Sequence, residues 1–118
     1  MKTIDAKELN EIMEERDDWL LLDVLPPESY EEQHIPGAYN APVTQDDFVK
    51  RAEKLSDSPS DTVIVYCADS DCGLSPKAAK ELEERGFTRV FDFEGGIEAW
   101  KDAGFHVASD KESGNGSG

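Results

Sequence analysis

Thr62-Val63-Ile64-Val65-Tyr66-Cys67-Ala68-Asp69-Ser70-Asp71-Cys72-Gly73-Leu74-Ser75-Pro76 is the stretch on which the fold turns. Its apolar start has the length and β-branched content of a buried strand. Ala68 to Ser75 is small and polar and cannot extend that strand. Ser75 as N-cap and Pro76 at the first helical position then open a helix that carries Ala78, Ala79 and Leu82 on one side and closes at Gly86. Strand, polar loop and helix together place Cys67 at a strand end facing a helix N-terminus. There, main-chain amides of the loop form a cradle for an anion or a thiolate, and Cys67 is a candidate nucleophile.

The pattern repeats outward. Trp19-Leu20-Leu21-Leu22-Asp23-Val24 is a second unbroken apolar run of strand length, stopped by Leu25-Pro26-Pro27. Ahead of it, Thr3-Ile4 is a short strand and Asp5 caps a helix with Leu9, Ile12 and Met13 on one face through about Glu15. Pro27 to Glu32 forms a short helix, Ala38 to Ala41 a brief strand, and Thr44 caps a helix bearing Phe48, Ala52 and Leu55. Arg89 to Phe93 is another strand. Glu94-Gly95-Gly96 turns it into a helix over 97–103, and Phe105-His106-Val107 is extended. Strands alternating with helices, the central ones apolar throughout, predict an α/β fold: a mainly parallel sheet of about five strands with helices on both faces and its site at the carboxyl ends of the strands.

With 118 residues the chain fits one domain, which buries roughly two thirds of its unfolded surface without needing disulfides or structural metal. Residues 1–108 are expected to form it. Residues 109–118, rich in Gly and Ser, read as a disordered tail. The formal charge of −15 repels phosphate backbones and anionic lipid, so neither nucleic acid nor membrane is an expected partner. The acid excess reads either as a solvated surface or as adaptation to high salt. No segment has the roughly 20 apolar residues of a spanning helix and Met1 to Asp5 lacks a signal-peptide core, so a cytoplasmic protein is expected. Two cysteines are too few for an all-cysteine zinc site, and His34 and His106 lie in unrelated segments, so no metal or other cofactor is expected.

The residues quoted so far resemble the rhodanese-like family of single-domain sulfurtransferases, over nearly the whole chain from Ile4 to Val107. Leu21-Leu22-Asp23-Val24 with Pro27-Glu28-x-Tyr30 and His34-Ile35-Pro36-Gly37-Ala38 is similar to the family's opening motif. Val65-Tyr66-Cys67 with Ser75 and Ala78-Ala79-x-x-Leu82 is similar to its active loop and following helix, and Glu94-Gly95-Gly96-Ile97-x-x-Trp100 to its closing motif. The resemblance implies that Cys67 accepts a sulfane sulfur as a persulfide from a small sulfur donor or a persulfidated protein and passes it to a thiol or cyanide. Ala68, Asp69, Ser70, Asp71, Cys72, Gly73, Leu74 and Ser75 form the substrate-binding loop, with Asp23 in support.

Departures from the family pattern bear on the substrate. Ala68 and Cys72 stand where common members carry arginine, Leu25 replaces another, and the loop is longer than usual. Asp69 and Asp71 add negative charge. A carboxylate about 4 Å from a bound anion costs about 4 kcal/mol at an effective dielectric of about 20, so both point to solvent or disfavour thiosulfate, and a persulfide or protein donor is expected to be preferred. No arginine lies between Cys67 and Arg85, which makes phosphatase or arsenate reductase chemistry a distant alternative. Cys72 reads as a small tolerated residue, a resolving thiol or a metal ligand. Asp23 is satisfied by backbone amides or shapes the loop, and His34 is a structural hydrogen-bonding residue or an acid-base group. The alternative to an enzyme is a non-catalytic module of this fold that binds a partner or senses redox state through Cys67 and Cys72.

Overall fold

A computed structural model describes residues 2–109. Five parallel strands form one sheet in the order β1-β5-β4-β2-β3, with β1 Lys2–Ile4, β2 Trp19–Asp23, β3 Tyr39–Asn40, β4 Thr62–Tyr66 and β5 Arg89–Phe93. The two most apolar runs, β2 and β4, pair side by side, with Leu21 opposite Ile64 and Asp23 opposite Tyr66. β4 is the middle strand of the sheet, which is why its five residues are all buried.

Side-chain alternation splits each central strand between two cores. Leu20, Leu22, Val63, Val65, Cys67 and Val90 pack with Phe48 and Ala52 of α3 (Phe48–Leu55) and with Ala78, Ala79 and Leu82 of α4 (Leu74–Glu84). The opposite face sends Leu21, Ile64, Tyr66 and Phe93 against Leu9 of α1 (Ala6–Glu15) and Ile97 and Trp100 of α5 (Gly96–Asp102). The expected two-faced α/β sheet is therefore present. Asp5 caps α1 as read, and Glu8 closes a reciprocal capping box with it.

Two predicted helix starts shift. α3 begins at Phe48 after a series of turns, with Asp47 rather than Thr44 before it and no side-chain cap bond. α4 begins at Leu74 after Gly73, so Ser75 lies inside its first turn and is not the N-cap. Burial is the reason: Ser75 is 1% exposed, and its hydroxyl turns inward toward β5 instead of back along the helix. Behind α2 (Pro27–Glu32), His34 exchanges backbone bonds with Ala108, and Ser109 donates its hydroxyl to the Glu31 carbonyl. The remainder of the expected tail lies outside the described residues.

Candidate active site

Cys67 follows directly on β4, at the carboxyl end of the sheet's middle strand. Its carbonyl accepts from the Ile97 amide (3.0 Å), and the Ala68 carbonyl accepts from the Glu98 amide (3.0 Å), so the first turn of α5 holds the base of the loop. The loop then folds on itself. Asp71 N–H donates to Asp69 Oδ1 (3.0 Å) and Cys72 N–H to the Asp69 carbonyl (3.1 Å), a local turn of the kind Asp favours. Asp69 thus caps its own loop. Ser70 and Asp71 are exposed at the tip.

This reversal brings Cys72 back to Cys67, and the two form a disulfide with Cα atoms 6.4 Å apart, within the ordinary range for such bridges. Reading the sequence, we expected a presented, reachable thiol at position 67. Here Cys67 is wholly buried, bonded to Cys72 and packed in the α3/α4 core. Cys72 itself is half-buried. Of the loop residues, Cys72 is bonded to Cys67 and, with Leu74, packs against the same core.

Asp23 is joined to this site through a residue that sequence reading passed over. Its Oδ1 accepts from the Leu25 amide (2.9 Å) and its Oδ2 from the Tyr66 hydroxyl (3.1 Å), which in turn accepts from the Ile35 amide (3.0 Å). The carboxyl is therefore satisfied by backbone and also ties the end of β2 to the residue just before Cys67. A fully buried Tyr in a central strand needs a partner for its hydroxyl, and that signal could have exposed the link. His34 stacks on Tyr30 at 3.8 Å and donates Nδ1–H to the Tyr30 carbonyl (2.7 Å), a structural arrangement.

Burial pushes Asp23 up from an ordinary 3.8 to about 6, against the opposing pull of the Leu25 amide, Tyr66 and His34. A carboxyl with a higher pKa folded than unfolded stabilises the fold fully below about pH 4, and that contribution is lost as pH rises through about 6. The span corresponds to about 3 kcal/mol. Urea denaturation of Asp23→Asn between pH 4 and pH 7 is expected to lose most of the decline in stability that the natural sequence shows there; an unchanged decline would remove Asp23 as its source.

Asp92 was also missed, although an acid inside the apolar strand Val90-Phe91-Asp92-Phe93 is itself the signal. It is 2% exposed, pairs with Val65 in register, and lies on the Cys67 face of the sheet. Burial raises its pKa, the Ser75 hydroxyl draws it down and Glu94 adds to the rise. Ser75 Oγ and Asp92 Oδ1 face each other without reaching a full hydrogen bond. Beside the loop, a cavity of about 180 Å³ is lined by Leu25, Ala68, Ile97, Gln33, Glu32 and Glu98. No arginine lines it.

A profile for the rhodanese-like domain matches residues 5–103. The chain belongs to the rhodanese-like family. It is 34% identical over 111 residues to the thiosulfate sulfurtransferase GlpE of Coxiella burnetii, covering 92% of this chain and 94% of that protein. Protein slr1261 of Synechocystis is 29% identical over 94% of this chain, and the chain spans only 58% of that protein's length. Among solved structures, the rhodanese-like domain of Alr3790 from Anabaena superposes with a TM-score of 0.81 at 31% identity, over 96% of this chain and 83% of that one. The rhodanese fold predicted from three sequence motifs is thereby shown.

Proposed function

We propose that the protein is a sulfurtransferase that carries sulfane sulfur as a persulfide on Cys67. The observation that carries the reading is the position of Cys67, at the carboxyl end of the middle strand, at the mouth of a loop leading into the eleven-residue helix α4. The first-turn amides of α4 have no intrahelical partners, and their field favours a thiolate over a thiol. Similarity along 92% of the chain to a thiosulfate sulfurtransferase supports the same class of reaction.

The steps follow from that placement. With the loop reduced, the Cys67 thiolate attacks the outer sulfur of a donor R–S–SH, forming Cys67–S–SH and releasing the donor thiolate. A thiophilic acceptor, cyanide or a thiol, then removes the outer sulfur and returns the thiolate.

Donor choice follows from charge. Glu98 lines the cavity beside Ala68, Asp69 and Asp71 lie in the loop, and no arginine stands between Cys67 and Arg85. Dianionic thiosulfate is therefore a poor donor, and a persulfide or a persulfidated protein is preferred. Incubating reduced Cys72→Ser, which has no second thiol to displace the added sulfur, with thiosulfate or with glutathione persulfide, then mapping added sulfur by mass spectrometry, is expected to show at least about tenfold faster labelling of Cys67 by the persulfide. Equal rates would overturn the preference.

The disulfide favours a second reading, a redox-sensing module in which the pair itself is the output. That reading requires no sulfur uptake by the reduced chain from any donor, and the same labelling experiment separates the two.

A further inference from the structure

A simple sulfur relay needs one cysteine, yet the loop delivers a second. The turn built on Asp69 reverses the chain, and its closure by the Asp71 and Cys72 amides sets the Cys72 sulfur in bonding contact with that of Cys67. In a persulfide, Cys67 Sγ is the inner sulfur and the transferred atom is the outer one. Cys72 meets the inner sulfur. Thiolate attack there expels the outer sulfur as a leaving group, whereas attack on the outer sulfur would only move it to Cys72.

We infer that Cys72 resolves the Cys67 persulfide and releases its sulfur as sulfide. The step is Cys67–S–SH plus Cys72–S⁻ giving the Cys67–Cys72 disulfide plus HS⁻. One S–S bond forms and one breaks. The sulfane sulfur leaves with the bonding pair and the persulfide proton, reduced by two electrons, and the two cysteine sulfurs are oxidised by two. A dithiol reductant, such as a thioredoxin-type protein or dithiothreitol, then reopens the disulfide and readies the loop for another sulfur. The closed, buried Cys67 of this structure is the product state of that step. The inference rests on the sulfurtransferase reading and deepens it: sulfide, with the electrons of a dithiol, becomes the outlet for the sulfur. Being intramolecular, the step outruns dilute external thiols.

The test uses the full chain, reduced with dithiothreitol, desalted without oxygen, and mixed with one equivalent of glutathione persulfide. The natural sequence is expected to release about one sulfide per chain and to lose two hydrogens in intact mass as the disulfide closes. Cys72→Ser is expected to hold one added sulfur atom and to release at least about tenfold less sulfide, and Cys72→Ala should match it. Equal sulfide release from the Cys72 variants, or a natural sequence that keeps its added sulfur, would overturn the inference while leaving sulfur transfer intact. Should neither the natural sequence nor the variants take up sulfur, the sulfurtransferase reading fails and this one with it.

Discussion

Cys67→Ser is expected to lower sulfur uptake by at least about a thousandfold, because a serine hydroxyl is not ionised near neutral pH and lacks the sulfur needed for a persulfide. The comparison has to be made with the loop reduced. Oxidised, the natural chain holds a disulfide closing a short loop, worth about 2 kcal/mol in the chain-entropy account, and the variant would lose that as well as its nucleophile. A hydroxyl in place of a wholly buried sulfur adds a further cost of about 1–3 kcal/mol if it finds no partner. Cys67→Ala avoids that cost and serves as the second variant. Stability in urea separates folding from chemistry, and sulfide release with peptide mapping after persulfide treatment reads the chemistry. Sulfur retained on Cys72 in both variants would make the half-buried cysteine the nucleophile and reverse the roles assigned above.

How far the sequence leads can be judged from the same few residues. Apolar runs at 19–22 and 63–66 announced central parallel strands, since a strand covered on both faces has no polar side to alternate with. Asp5 announced its helix cap, and Gly95-Gly96 its turn. What stayed hidden depends on partners distant in sequence. Tyr66 meets Asp23 only because β2 and β4 pair in register, and Ser75 turns inward because Asp92, seventeen positions on, lies across from it. The state of Cys67 was equally illegible. Its burial comes from the α3/α4 core, and its bond to Cys72 from the turn that Asp69 makes with its own neighbours, a geometry that Cys-x4-Cys spacing permits without specifying.

Gly96→Ala is expected to destabilise the fold by more than about 2 kcal/mol and to cripple sulfur uptake along with it. Gly96 has φ of +64°, where a side chain costs about 1 kcal/mol by itself. Space is the larger problem. A Cβ at this position would overlap the Cys67 carbonyl oxygen and come within 2.7 Å of the Ala68 carbonyl carbon and 2.8 Å of its oxygen, all of them backbone atoms that no rotamer change can move. Those two carbonyls are the ones that the Ile97 and Glu98 amides hold, so relief of the overlap must break the bonds that fix the loop base beneath Cys67. Strain and space can be told apart within the same chain. Gly86 has φ of +101° with open space around its Cβ direction, so Gly86→Ala should cost only about 1 kcal/mol and leave uptake unchanged. Urea midpoints and the sulfide released from glutathione persulfide by the two variants side by side read both quantities. If Gly96→Ala behaved like Gly86→Ala, the close approach of α5 to the loop would not be what positions Cys67, and the anchoring would have to come from β4 and α4 alone.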